Sequence, residues 1–462
     1  MIETEQQQDI RTELFTKAEL ILDEVRTIDA GAQAEVFAGH SSDLKVVFEN
    51  TDFSVTSDST TTIFGLRLIA SGRLGFVTTN ATTPEALRGA AREAFELARL
   101  APPSEHHMLA EVGPDNGRHF ELIDPALFDL DINAATEWTD VVIRRAKTDP
   151  RVAIDRAEFG RSFGTGAILN TNGVRLSRSK TIADWYAMGM ARDGEDVTSF
   201  DYDGGSVGRA DEIADKIDRS MRRFADSVLS SLGGGAAESY EGPVLLHPRA
   251  TADLLGGAIV ANCNGRLHQD GISPWKDLFG ELVGAPGLWL TEEPRDETRA
   301  AAYRPFDREG IATASHDLVR EGRLAHIGHN CFSAHRGGTT ATGNATGSAR
   351  SLPGIGFGPI SIGVSGDSLS DDELHRQFGN GLILKRFSGN RDSSSGQFSG
   401  VAKNGHLCEN GARGRPVKEV MIAGNLFDAL KNIRAAGATL HELGGSSRAP
   451  YMIVDGLSVT AG

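Results

Sequence analysis

The sequence has few aromatic residues, few cysteines, little basic charge and no long apolar runs, and each shortage excludes something. Aromatic side chains make up 6% of its 462 residues, too few for the stacking platforms that hold single-stranded nucleic acid. Lysine and arginine number 47 against 63 acids, a formal net charge of −16, which opposes binding to phosphate backbones. No apolar stretch approaches the roughly 18–20 residues that span a bilayer. The three cysteines, Cys263, Cys331 and Cys408, form no CxxC pair, which points to a reducing compartment and no disulfide framework. The opening Met1-Ile2-Glu3-Thr4-Glu5 and its run of Gln have neither a basic n-region nor an apolar h-region, so the expected location is the cytoplasm. Neither nucleic acid nor a membrane is an expected partner.

What remains is the composition of a soluble globular protein, 39% hydrophobic and 24% charged. The chain is too long for one core. The expected fold class is α+β, with an N-terminal mixed α/β domain over residues 1–232 and a C-terminal, mainly antiparallel β, barrel-like domain over 233–462. Leu14, Ala18, Ile21 and Val25 recur at helical spacing. Residues 34–38, 44–48 and 63–69 read as strands with turn-forming residues between them. Thr83-Pro84-Glu85 is a helix start, and the helix should stop near Arg99, before Pro102-Pro103. A further helix is expected over about 210–231, with Gly233-Gly234-Gly235 as the linker. Asn404-Gly405 and Asn410-Gly411 mark consecutive antiparallel strands, and residues 337–350 read as a long loop. Val420–Leu430 reads as a strand turning into a helix, capped by Asn425 and ended by Gly437.

Several segments together resemble the TldD/PmbA family. Gly396-Gln397-Phe398-Ser399-Gly400, Glu409-Asn410-Gly411, Pro416-Val417 and Ile422-Ala423-Gly424-Asn425-Leu426 are similar to the family series G-x-F-S, E-N-G, P-V and I-A-G-N-L. Phe306-Asp307-Arg308-Glu309-Gly310 resembles a second block, and Ser333-Ala334 with Thr342-Gly343-Asn344-Ala345 a third. Gly65-Leu66-Arg67, Gly75-Phe76 and Asn170-Thr171-Asn172-Gly173 are weaker matches. The resemblance implies a two-chain peptidase. A TldD-like chain and a PmbA-like (TldE-like) chain enclose a chamber in which flexible or unfolded peptides are hydrolysed. Zinc belongs to the TldD-like chain, on the histidines of an HExxxH helix and a cysteine near the C-terminus. Such a ligand set leaves a position open for water, whose pKa falls towards about 7 beside the glutamate base.

This chain departs from that pattern. His247-Pro248-Arg249-Ala250-Thr251-Ala252 stands where HExxxH is expected: His247 remains, Pro248 replaces the base and Ala252 the second histidine. Gly444-Gly445-Ser446-Ser447 occupies the position expected for the cysteine. The resemblance therefore implies a PmbA/TldE-like subunit with no cofactor of its own and zinc in a TldD-like partner chain. Its chamber-associated residues are expected among Asp307, Glu309, Phe398, Ser399 and Asn425.

Other chemistry carries less. His326-Ile327-Gly328-His329-Asn330-Cys331, with His335, is the densest ligand cluster. A strand following the Glu321-Gly322 turn would send His326 and His329 to opposite sides, so no metal is expected there. Ser393-Ser394-Ser395 and Ser446-Ser447 lack a Gly-x-Ser-x-Gly elbow, and Cys331 near His329 and His335 is no dyad by proximity alone. Asp307 and Glu309 are a carboxylate pair suited to acid–base work if their pKa values are shifted; a turn acid capping backbone amides is the simpler reading. The alternatives to a heterodimer subunit are a peptide-binding homodimer without hydrolysis and a self-sufficient hydrolase.

Overall fold

Side-chain alternation along a few very long strands organises the first half of the chain. The computed structural model describes residues 5–49, 52–366, 369–418 and 420–461. Strands Arg73–Thr79, Asp52–Ala70, Gln33–Glu49, Val152–Asn170, Arg175–Asp193 and His119–Leu122 lie side by side in that order, and Asp196–Val197 and Asp201–Val207 also pair with Arg175–Asp193. In Gln33–Glu49 the even-numbered Ala34, Val36, Ala38, Leu44 and Val46 face one way, as period-two geometry requires. They pack under helices Glu5–Ile28 and Pro84–Leu100 at one end and Ile132–Ala146 and Ile213–Leu229 at the other. The odd-numbered Phe37 faces the other way and meets Phe306, Cys331 and Ala349 from the second half of the chain. One face of the sheet is thus covered by helices and the other receives the C-terminal residues.

The helix expectations hold, and Thr83 accepts the Ala86 amide as the N-cap of Pro84–Leu100. The turn expected between residues 38 and 44 does not form. Gly39-His40-Ser41-Ser42-Asp43 continues the strand because it is laddered on both sides, to Ile63–Ser59 and to Gly166–Ser162. Two neighbouring strands override the turn propensity of a short polar run.

From Tyr240 onward the chain forms a six-stranded sheet and a nine-stranded sheet curled into a half-barrel. Most pairs are antiparallel; Gly381–Leu384 on Tyr240–Leu246 and Ile360–Val364 on Ser447–Ala449 are parallel. Asn410-Gly411 makes the expected hairpin, with φ of 51° and 80°. Asn404-Gly405 does not: Gln397–Lys403 pairs with its other neighbours, while His406–Glu409 crosses to Gly381–Ile383. Asn425 caps Leu426–Lys431, but that helix ends at Asn432 and not at Gly437, because Ile433–Ala436 pairs as a strand with Met452–Val454. Cys263, Cys331 and Cys408 are all free and buried. Among the described residues, no helix is long and apolar enough to cross a membrane.

Candidate functional site

A cleft of about 1070 Å³ lies between the two halves, and the residues of the altered peptidase motif line it. The strand Tyr240–Leu246 is paired on both sides, by Met452–Val459 and by Leu382–Leu384, and delivers His247 to the cleft wall. The His247 amide donates to the Leu384 carbonyl at 2.9 Å. Pro248 then opens a helix at the first position, where a missing N–H costs nothing. The His247 ring caps that helix, Nδ1 accepting the Arg249 amide at 3.2 Å, which leaves the ring proton on Nε2. Burial, followed by the charges of Lys385, His441 and Arg249, holds this imidazole well below its ordinary pKa. His247 is therefore neutral, with one nitrogen committed to a cap and the other protonated.

The other motif positions are nearby. The helix passes through a π turn over Thr251–Gly256, closed by the Gly257 amide donating to the Ala252 carbonyl. Ala252 lines the cleft, as His247 does. Gly444, Gly445, Ser446 and Ser447 also line it. Gly445 has φ +78°, and a Cβ there would lie 2.8 Å from the Ser206 carbonyl oxygen, so no thiolate side chain fits at that position. Of the zinc ligands that the resemblance implies, only His247 has a counterpart here, and one imidazole committed to a helix cap does not make a peptidase zinc site.

The cleft's electrostatics centre on Asp201, which is 2% exposed. Arg249, Lys385 and Arg386 approach it to 3.4, 3.5 and 3.6 Å, and the Ser227 hydroxyl donates to it. Burial pushes its carboxyl up, but Lys385, Ser227 and Arg249 outweigh that and hold it below the ordinary value. Arg249 lies 3.9 Å from the centroid of the Tyr202 ring. Tyr451 forms the floor, edge-to-face with His247, His375 and His441. Asp253 is pushed up by burial against the pull of Arg249 and Arg391. The wall thus offers cations, aromatic faces and hydroxyls, with the carboxylates of Asp201, Asp203 and Asp253 among them. Sequence reasoning missed Asp201, Tyr202, Lys385 and Tyr451, which are too far apart along the chain to leave a local pattern.

The other expected site residues lie outside the cleft. Asp307 and Glu309 are 2% and 0% exposed. Asp307 accepts the amides of Glu309, Ile311 and Ala345 at 2.8–3.0 Å, while burial and Glu309 push its carboxyl up to about 7. Glu309 accepts Arg67 at 2.6 Å and the Cys331 amide at 2.7 Å. Arg67 also pairs with Glu35 at 2.8 Å, and Arg308 reaches Glu35 at 2.7 Å. The Gly65-Leu66-Arg67 and Asp307-Arg308-Glu309 blocks therefore meet as one buried ion network joining the halves, with Arg67 at the wall of a cavity of about 410 Å³. Phe398 is core, edge-to-face on Phe387, Ser399 lies exposed on a strand, and Asn425 is a helix cap. The strand after Glu321-Gly322 ends at Leu324. His326 and His329 then diverge, His329 to Ser333 at 3.1 Å and His326 to Asn344 at 3.2 Å. Burial and Glu309 raise the Cys331 thiol well above its usual range, which excludes a ready thiolate. Ser394 and Ser395 are tied to the Asp392 turn.

Known proteins match over most of the chain. The family model described as PmbA/TldA metallopeptidase C-terminal domain matches residues 239–461, and that of PmbA/TldA metallopeptidase domain 1 matches 34–98. The metalloprotease PmbA of Escherichia coli O157:H7 is 24% identical over 84% of this chain and 82% of its own length. The metalloprotease PmbA homolog of Haemophilus influenzae is 26% identical over 93% and 91%. In fold, the crystal structure of TldE from Thermococcus kodakarensis superposes with a TM-score of 0.82 at 20% identity, covering 96% of this chain and 99% of that one.

Proposed function

The chain belongs to the PmbA/TldD metallopeptidase family, and from that premise we propose that it is the PmbA/TldE-like subunit of a two-chain peptidase. In this reading a TldD-like partner holds the zinc and the hydrolytic water, and this chain completes the chamber and holds the flexible peptide. The observation that carries it is the make-up of the cleft. His247 is spent as a neutral helix cap, Pro248 and Ala252 replace base and ligand, and the Gly444-Gly445 turn has no room for a thiolate side chain at Gly445.

The cleft wall suits an extended peptide. Among the described residues, strand Asp201–Val207 pairs with Arg175–Asp193 on one side only, and residues 202–206 along it line the cleft. A free strand edge binds main chain by strand addition, with neighbouring pockets taking alternate side chains. Arg249, Tyr202 and Lys385 stand ready for carboxylate or aromatic groups of such a peptide. The expected setting is the cytoplasm. Co-expression with a chain carrying HExxxH and a C-terminal cysteine tests the reading. The two should co-purify, and unfolded peptides should be cleaved by the pair and not by this chain alone. Cleavage by the partner at the same rate without this chain would overturn it.

A further inference from the structure

A second group of ligand side chains lies apart from the peptidase motif. Glu292 ends strand Leu288–Glu292 and sits directly across the ladder from His316. Its side chain is fully buried, yet no Lys or Arg pairs with it among the described residues. Its partners are the Asn344 amide at 2.6 Å, the Gly358 N–H at 3.2 Å and the His316 ring at 3.3 Å. His316 Nδ1 is itself buried and makes no hydrogen bond. His326 comes from the irregular segment after Leu324 and stacks on His316, with ring centroids 3.9 Å apart. One ligand atom from each of Glu292, His316 and His326 lies within 4.8 Å of the other two.

The surrounding hydrogen bonds set the protons. Asn344 donates from Nδ2 to Glu292, so its Oδ1 is the acceptor for Thr342 at 2.6 Å and for His326 Nε2 at 3.2 Å. His326 therefore carries its proton on Nε2 and presents a bare Nδ1. That is how a metal-binding histidine is usually oriented, by an acceptor on its other nitrogen. A carboxylate taken out of water without a cation is costly. Two imidazoles and one carboxylate are a ligand set that zinc and related ions accept.

We propose that Glu292, His316 and His326 hold one divalent first-row transition ion of the zinc class, independently of the family's peptidase motif. The two stacked rings must turn about their terminal torsions to point at a common ion, and such torsions are soft. Both rings are only half-buried, which leaves a way in. Gly358, which donates to Glu292, also lines a cavity of about 420 Å³ reaching Ala252 and Ser446. The ion would sit beside the altered motif and not in it. Its presence depends on this chain's own residues, whether or not a partner chain is bound.

The test uses the full chain, stripped with chelator and then dialysed against Zn2+ or Co2+. Stoichiometric Zn2+, visible Co2+ absorption bands and a Zn2+-dependent rise in Tm are expected of the wild type. Glu292→Gln and His326→Gln should lose the bands, and Asn344→Ala should weaken binding roughly 10–100-fold as an orienting partner. His247→Ala should leave binding intact. Folding of each variant is checked by circular dichroism, and the wild-type stoichiometry decides if Glu292→Gln fails to fold. Folded wild type that takes up no Zn2+, which would leave Glu292 and His316 a histidine–carboxylate pair only, overturns the proposal. So does binding that survives both substitutions or vanishes with His247→Ala.

Discussion

Two groups of buried charge, around Glu35 and around Asp201, differ in what surrounds them. Glu35, Arg67, Arg308 and Glu309 are all within a few per cent of full burial, and two carboxylates meet two guanidinium groups. Asp201 is as deeply buried, but its cations Arg249, Lys385 and Arg386 keep 17–18% of their side chains exposed and line or flank an open cleft. A deeply buried, balanced network joins two parts of a fold, even with Arg67 at a cavity wall; an anion ringed by more exposed cations holds them in place while leaving them free to meet a ligand. This difference separates structure from site more clearly than the presence of charged motifs does.

The comparison can be broken by substitution. Arg67→Met leaves the buried Glu309 carboxylate without a cation and Glu35 with Arg308 alone, and should cost about 3–5 kcal/mol in urea unfolding; a loss below 1 kcal/mol would show that water reaches the network. Asp201→Asn should cost less, about 1.5–3 kcal/mol, because its cations can turn to solvent. The sign with pH follows from its lowered carboxyl. The wild-type advantage is fully present above the ordinary value of 3.8 and shrinks as pH falls below it. An advantage that grew on acidification would contradict the assignment.

Smaller effects sharpen the contrast. Gly65 lets the strand approach the Ala349 carbonyl so closely that a Cβ would lie 2.1 Å from it. Gly65→Ala should therefore cost about 1–3 kcal/mol by overpacking, read as a drop in the urea midpoint. Asn425→Ala removes a helix cap and the bond its side-chain amide donates to the Ser395 carbonyl at 2.8 Å, and should cost about 1 kcal/mol, with no change in peptide binding. A loss of peptide binding in that variant would return Asn425 to the site.

Much of this was legible in the sequence because it is local. The caps at Thr83 and Asn425, the helices, the Asn410-Gly411 hairpin and the altered motif at His247, Pro248 and Ala252 are all carried by neighbouring residues. The short blocks around Arg67 and Glu309 were visible as pieces, but not their meeting, since 242 residues separate the pair. The polar run at 39–43 read as a turn because the ladders that straighten it come from strands elsewhere. His326 was seen beside His329, whereas its neighbours in space, Glu292 and His316, lie on other strands. Asp201 and Lys385 carried no local signal at all.

The most direct test of the central claim is a titration. A fixed amount of an HExxxH-bearing partner chain is mixed with increasing amounts of this chain, and cleavage of an unfolded peptide is followed. The account predicts that activity rises and saturates when the two chains are equimolar, with no cleavage by this chain alone. Activity that is indifferent to this chain, or cleavage by this chain alone that vanishes with His247→Ala, would contradict it.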